Sequence, residues 1–113
     1  MTPDQFRKLA LSFPEATETS HMGHPDFRVR GKVFATLGYP DDQHGMIKLM
    51  PGQQADCLDA APDVFAPAAG AWGRAGATTV LLKAAKRDLV RSALKDAWGN
   101  VPSGNRSPRS KKT

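Results

Sequence analysis

Three cations, Arg28, Arg30 and Lys32, fall on alternate positions across a single glycine, Gly31. Arginine grips phosphate through two parallel hydrogen bonds. A protruding strand pair decorated in this way could hold a nucleic-acid backbone or enter a groove. Lys48 and Lys83 lie on or beside other apolar, strand-like runs and could extend the same surface. Trp72 and Arg74 stand in a stretch rich in glycine and alanine, where an exposed indole could stack on a base at ~1–3 kcal/mol per base. Arg106, Arg109, Lys111 and Lys112 make a cationic arm able to add sequence-independent, salt-dependent affinity. Each has a plainer reading. A hairpin's charges can be solvated and guard strand edges, a lone tryptophan can fold back over the core edge, and a basic terminus can simply aid solubility.

Other chemistries find less support. His21 and His24 are three apart in an extended or turn segment, with no Cys-x-x-Cys or His-Glu-x-x-His pattern, so neither zinc nor any other metal is expected. His24 precedes Pro25 and suits an ordering role at the entry to the hairpin; His44 sits in a separate loop. The acidic residues are scattered, which argues against an iron-binding ridge. Cys57 has no histidine near it in sequence and reads as a structural thiol. Asp41 and Asp42 read as solvated loop carboxylates rather than acid/base machinery. Gly70, Gly73 and Gly76 lack the lysine and the strand-to-helix context of a phosphate loop. The expectation is a non-catalytic protein without a cofactor.

The elements that must position these residues follow from periodicity. Thr2-Pro3-Asp4-Gln5 is a capping-box start, and Phe6, Leu9, Ala10 and Phe13 form an amphipathic stripe that Pro14 ends. Residues 16–22 read as a short edge strand. Residues 27–37 read as two strands around Gly31. A three-residue connection puts Phe27, Val29, Val33, Ala35 and Leu37 on one face and Arg28, Phe34 and Thr36 on the other. Residues 46–50 form a further strand, residues 51–61 a short helix, residues 66–77 a loop, and residues 78–82 a buried strand. The last helix spans about 86–98, with Gly99 at its C-terminal cap. The order of helix, strand meander, short helix, strand and helix gives an α+β fold, an antiparallel sheet with helices on one face.

Size and charge bound the rest. At 113 residues, with 40% hydrophobic and 24% charged side chains, the chain is one globular domain with one modest core. The net charge of +5 is uneven. Residues 1–105 hold all 11 acidic side chains against 12 of the 16 lysines and arginines, so this part is near neutral, and the remaining four cations lie in the terminal arm. That balance favours the solvated-hairpin reading on composition alone. The domain is assigned to residues 1–99, with 100–113 expected to be a disordered basic tail. No apolar run has membrane-spanning length, the start lacks signal-peptide character, and a single cysteine allows no internal disulfide. A cytoplasmic monomer is expected.

The stretch His24-Pro25-Asp26-Phe27-Arg28-Val29-Arg30-Gly31-Lys32-Val33-Phe34-Ala35 resembles the signature of the MmcQ/YjbR family. Leu11-Ser12-Phe13-Pro14-Glu15, the strand bearing Lys48, the Trp72 loop and the closing helix accompany it. The resemblance implies a CyaY-like α/β sandwich and a family described as binding DNA through paired β-hairpins. DNA is accordingly the expected partner, with a protein or small ligand on the exposed sheet face as the alternative.

Overall fold

The computed structural model describes residues 1–21 and 23–102. Helix α1 (Pro3–Leu11) begins in the expected capping box. The Gln5 backbone N–H donates to Thr2 Oγ1 at 3.1 Å, and the Thr2 N–H donates to Gln5 Oε1 at 2.8 Å. Six strands follow with three more helices: β1 (Thr17–His21), β2 (His24–Val29), β3 (Lys32–Leu37), β4 (His44–Lys48), α2 (Pro51–Ala60), β5 (Phe65–Pro67), α3 (Gly70–Arg74), β6 (Ala77–Leu81) and α4 (Arg87–Asn100). The strands form one sheet in the order β1-β2-β3-β4-β6-β5, and every neighbouring pair is antiparallel. This is the α+β layout that the periodicity predicts.

Helices α1, α2 and α4 pack together over one face of the sheet. Phe6, Leu9, Phe27, Phe34, Ile47 and Leu94 are among the side chains buried between the two layers. At roughly 25 cal/mol per Å² of apolar area, this layer is the dominant stabilising term of the domain. Among the described residues, the opposite face carries only α3, near one end.

The hairpin connection differs from the expectation. Val29 pairs with Lys32, so only Arg30 and Gly31 form the turn, with φ of 52° and 80°. Positive φ at both central residues is the two-residue turn whose twist matches paired strands. Such a turn would scramble the apolar alternation, but a β-bulge repairs it. Phe27 pairs with Ala35 and Arg28 with Val33, leaving Phe34 as the extra residue, fully buried beside Ala35. Phe34 therefore belongs to the core, and Val33 lies opposite Arg28, the reverse of the predicted faces. A single-residue bulge leaves no mark on a period-two pattern until pairing is known.

Two further stretches differ from the reading. The segment read as a loop over 66–77 holds most of β5 and all of α3, both too short to show a period. Helix α4 runs through Gly99 to Asn100, with Val101 at its cap. Val101 packs on the core, and the carbonyls of Val101 and Pro102 are both hydrogen-bonded to Arg30. The folded part thus reaches at least Pro102, three residues beyond the predicted boundary.

Candidate functional site

The uncovered sheet face is concave and forms a cleft of about 600 Å³. Its floor includes a cross-strand row in register: Asp26 opposite Thr36, and Thr36 opposite Met46. Arg28 and Val33 form a second pair on this face, and Lys48 faces Ala77 across β4 and β6. Trp72 and Ala75 wall one end from α3; Tyr39, just past β3, lies at another. Trp72 is 64% exposed and Tyr39 39%. The reading in which Trp72 folds back over the core therefore fails: the indole stands in solvent at the cleft.

The backbone explains why α3 can hold it there. A Cβ on Gly73 would lie 1.8 Å from the Ala68 carbonyl oxygen, and one on Gly76 would lie 2.0 Å from that of Leu49. Only glycine allows the turn carrying Trp72 to sit this close to the end of β4. Gln54 of α2 secures it from behind, its side-chain amide donating to the carbonyls of Gly73 and Ala77 at 3.0 Å each.

Charge at the cleft is arranged with one acid inside and cations outside. Asp26 is only 5% exposed. It accepts from Thr19 Oγ1 on β1 and from Arg28 Nε and Nη2 at 3.1 and 3.3 Å. Hydrogen bonding to Asp26 and the field of its carboxylate raise the Arg28 pKa. The Arg28 side chain is still 38% exposed and lines the cleft. Thr36 Oγ1 is buried in the floor with no partner among the described residues. The polar groups a ligand would meet are therefore those of the rim, Arg28, Lys48 and His24.

The predicted residues separate accordingly. Arg28, Lys48 and Trp72 are brought together at the cleft, and Lys32 is exposed at the adjoining hairpin tip. Arg30 is drawn away from the cleft. It turns toward the helices and donates from Nε to the Pro102 carbonyl at 2.8 Å and from Nη2 to that of Val101 at 3.0 Å. It also pairs with Glu15 at 3.3 Å and lies 5.6 Å from the Trp98 ring centre. Arg74 is exposed on α3 but does not line the cleft, and Lys83 lies past the Leu81 end of β6, opposite the end that Lys48 occupies. Arg106, Arg109, Lys111 and Lys112 lie outside the described residues. Sequence reasoning missed Tyr39, Met46, Asp26 and Gln54; an aromatic residue in an otherwise polar loop was the available clue to Tyr39.

The remaining candidates are apart from the cleft or act locally. Among the described residues, no three His, Cys, Asp or Glu side chains come together in a way that could hold a metal. Cys57 is half-buried, and burial, with Asp96 and Asp56 nearby, pushes its thiol pKa up. His24 packs on the backbone of Gly38, where an added Cβ would approach its Nδ1 to 2.7 Å. In the loop after Tyr39, Asp41 Oδ1 is 2.7 Å from His44 Nδ1 and accepts from the Gln43 N–H at 2.9 Å. These hydrogen bonds hold the Asp41 carboxyl below the usual range. A depressed carboxyl contributes stability that is complete above its unfolded pKa, about 3.9, and is lost as pH falls through its lower folded value. An NMR titration should therefore show Asp41 protonating below the free value, with the loop signals shifting in the same window. A midpoint at or above the free value would disprove this bracing of the loop.

A single antiparallel sheet with helices on one face and a walled, cation-rimmed cleft on the other defines a small α+β sheet-face domain. The chain belongs to the YjbR family, whose model matches residues 11–100. Its fold is similar to that of the Deinococcus radiodurans protein DR2400, a DUF419 domain, with a TM-score of 0.70 at 20% identity over 86% of this chain and 75% of that one. None of the curated proteins matches the sequence. Among the described residues, no helix is long and apolar enough to cross a membrane.

Proposed function

We propose that this domain is a non-catalytic nucleic-acid-binding protein that engages its ligand on the open sheet face. The observation that carries the reading is the convergence of Arg28, Lys48 and the exposed Trp72 on one cleft of about 600 Å³. That volume is in the range of ligand sites, and its cations are placed to meet phosphate. The basic hairpin contributes through its base rather than as a groove-reading wing. Arg28 faces the cleft, Lys32 is exposed at the hairpin tip outside the cleft lining, and Arg30 is occupied at the end of helix α4. Helices α1, α2 and α4 cover the other face of the sheet, and among the described residues this surface is covered only at one end, by α3.

The test is fluorescence polarisation with random-sequence single-stranded and duplex probes across a salt series. The proteins are the full chain, a chain ending at Pro102, and the Lys32→Glu/Lys48→Glu double variant. Arg28 is spared because its loss would remove two charge-assisted hydrogen bonds from the buried Asp26. Charge reversal should weaken binding roughly tenfold or more at low salt and flatten the salt dependence by about one counterion per lost phosphate contact. An Arg74→Glu/Lys83→Glu variant, reversed away from the cleft, should change it much less. Equal affinity in the Lys32/Lys48 variant would remove the sheet face from the account. Binding of an apolar ligand insensitive to salt would favour the alternative, a small-ligand module without a nucleic-acid role.

A further inference from the structure

We infer that the cleft holds an unpaired nucleotide of a single strand, its base stacked on Trp72 and its phosphate against Lys48 and Arg28. This rests on the nucleic-acid reading above and names the form of nucleic acid that the site takes. The first argument is the posture of Trp72. A large indole 64% exposed gains little from folding, yet the turn that carries it is held by close backbone contacts at Gly73 and Gly76 and by two hydrogen bonds from Gln54. Its carrier is thus rigid before any ligand arrives, which lowers the ordering cost of binding.

The second argument is geometric. In a duplex each base hides its faces in the stack, so only an unpaired base can offer a flat face to an aromatic ring. A cleft of about 600 Å³ walled by Trp72 and Tyr39, with Met46 in its floor, has room for a nucleotide and presents apolar surface to the base. Charge gives the third. Asp26 is the one acid lining the cleft among the described residues, and it is already engaged by Thr19 and Arg28. Lys48, exposed and with no acid beside it among the described residues, therefore gives the rim a free cation that complements a phosphate, with the Arg28–Asp26 pair at its side.

The experiment compares three probes of one sequence: a short fluorescein-labelled single strand, its duplex, and the same strand with abasic sugars. Each is titrated against the full chain and against Trp72→Ala, Trp72→Phe and the Lys32→Glu/Lys48→Glu variant. The single strand should bind about tenfold or more tighter than the duplex, and the abasic strand should fall to the duplex level. Trp72→Ala should weaken the single strand roughly five- to hundredfold, the size of one base–aromatic stack, and leave the duplex unchanged. Trp72→Phe should keep most of the affinity. Tryptophan fluorescence should be quenched by the single strand in the wild type, whereas the quench should vanish in Trp72→Phe, where Trp98 alone reports.

Equal single-strand affinity in Trp72→Ala would overturn the inference. So would equal binding of single strand and duplex that falls equally on charge reversal; that result leaves the broader nucleic-acid reading standing. Failure of the wild type to bind any probe overturns both.

Discussion

Gly76→Ala is expected to destabilise the domain by about 3 kcal/mol or more, a large share of the ~5–15 kcal/mol typical of a native domain. Two independent penalties combine there. Gly76 has φ of +117°, where side-chain-bearing residues are strained. An added Cβ would also fall 2.0 Å from the Leu49 carbonyl oxygen and 2.9 Å from the Met50 carbonyl carbon, both backbone atoms that cannot swing away. Relief requires parting the end of β4 from the start of β6, where Thr78 Oγ1 donates to the Gly76 carbonyl at 2.8 Å. Gly99 is the internal comparison. It lies within α4, exposed, with nothing within 4 Å of an added Cβ. Gly99→Ala should accordingly stabilise by about 0.5–1 kcal/mol. Urea denaturation of both variants checks the pair, and a Gly76→Ala protein as stable as the wild type would refute the close-approach account.

Replacing Arg30 with glycine should cost about 2 kcal/mol even though glycine is the better residue for its turn. Arg30 holds φ of 52°, a region that glycine enters without strain, so the local backbone effect is stabilising. Against this stand two charge-assisted hydrogen bonds to the carbonyls that follow α4, the ion pair with Glu15, and the contact with Trp98. Trp98 in turn donates to the Pro14 carbonyl at 2.9 Å and stacks with Phe13 at 6.1 Å. Arg30 therefore joins the hairpin turn, the segment after α1 and the segment after α4, and places its charge at the negative end of that helix. Each such bond is worth ~1.5–3 kcal/mol when well shielded, discounted here because Glu15 is exposed. A loss of 2 kcal/mol lowers the melting temperature by roughly 10 °C in a domain of this size. Arg30→Lys should recover little, because an ammonium cannot fork across two carbonyls. If Arg30→Gly melts at or above the wild-type temperature, the clamp contributes nothing and the turn alone decides.

Much of the architecture was legible because it rests on local chemistry. The capping box at Thr2, the apolar stripe of α1 and the strand character of the residues around Arg28 need only neighbours in sequence. Membership in the YjbR family was legible in the hairpin motif for the same reason. What escaped depends on contacts between distant segments. The bulge at Phe34 exists because β2 and β3 must both face the helices despite a two-residue turn. Arg30 looks like a phosphate ligand until α4 arrives beside it, 71 residues away in sequence. The same gap hid the role of Gly73 and Gly76: they read as loop glycines, and only Ala68 and Leu49 on the other side of the contact make them necessary.

The strand order has a consequence for how the cleft comes into being. Strands β1 to β4 pair with their neighbours along the chain, so the floor is a local meander with short loops to close. The Trp72 wall belongs to the excursion between β4 and β6, whose first paired residues, Lys48 and Ala77, are 29 positions apart. Loop-closure entropy is charged to the wall and hardly to the floor. The meander can therefore form on its own local contacts, and the aromatic side of the cleft is complete only once β6 has docked on β4.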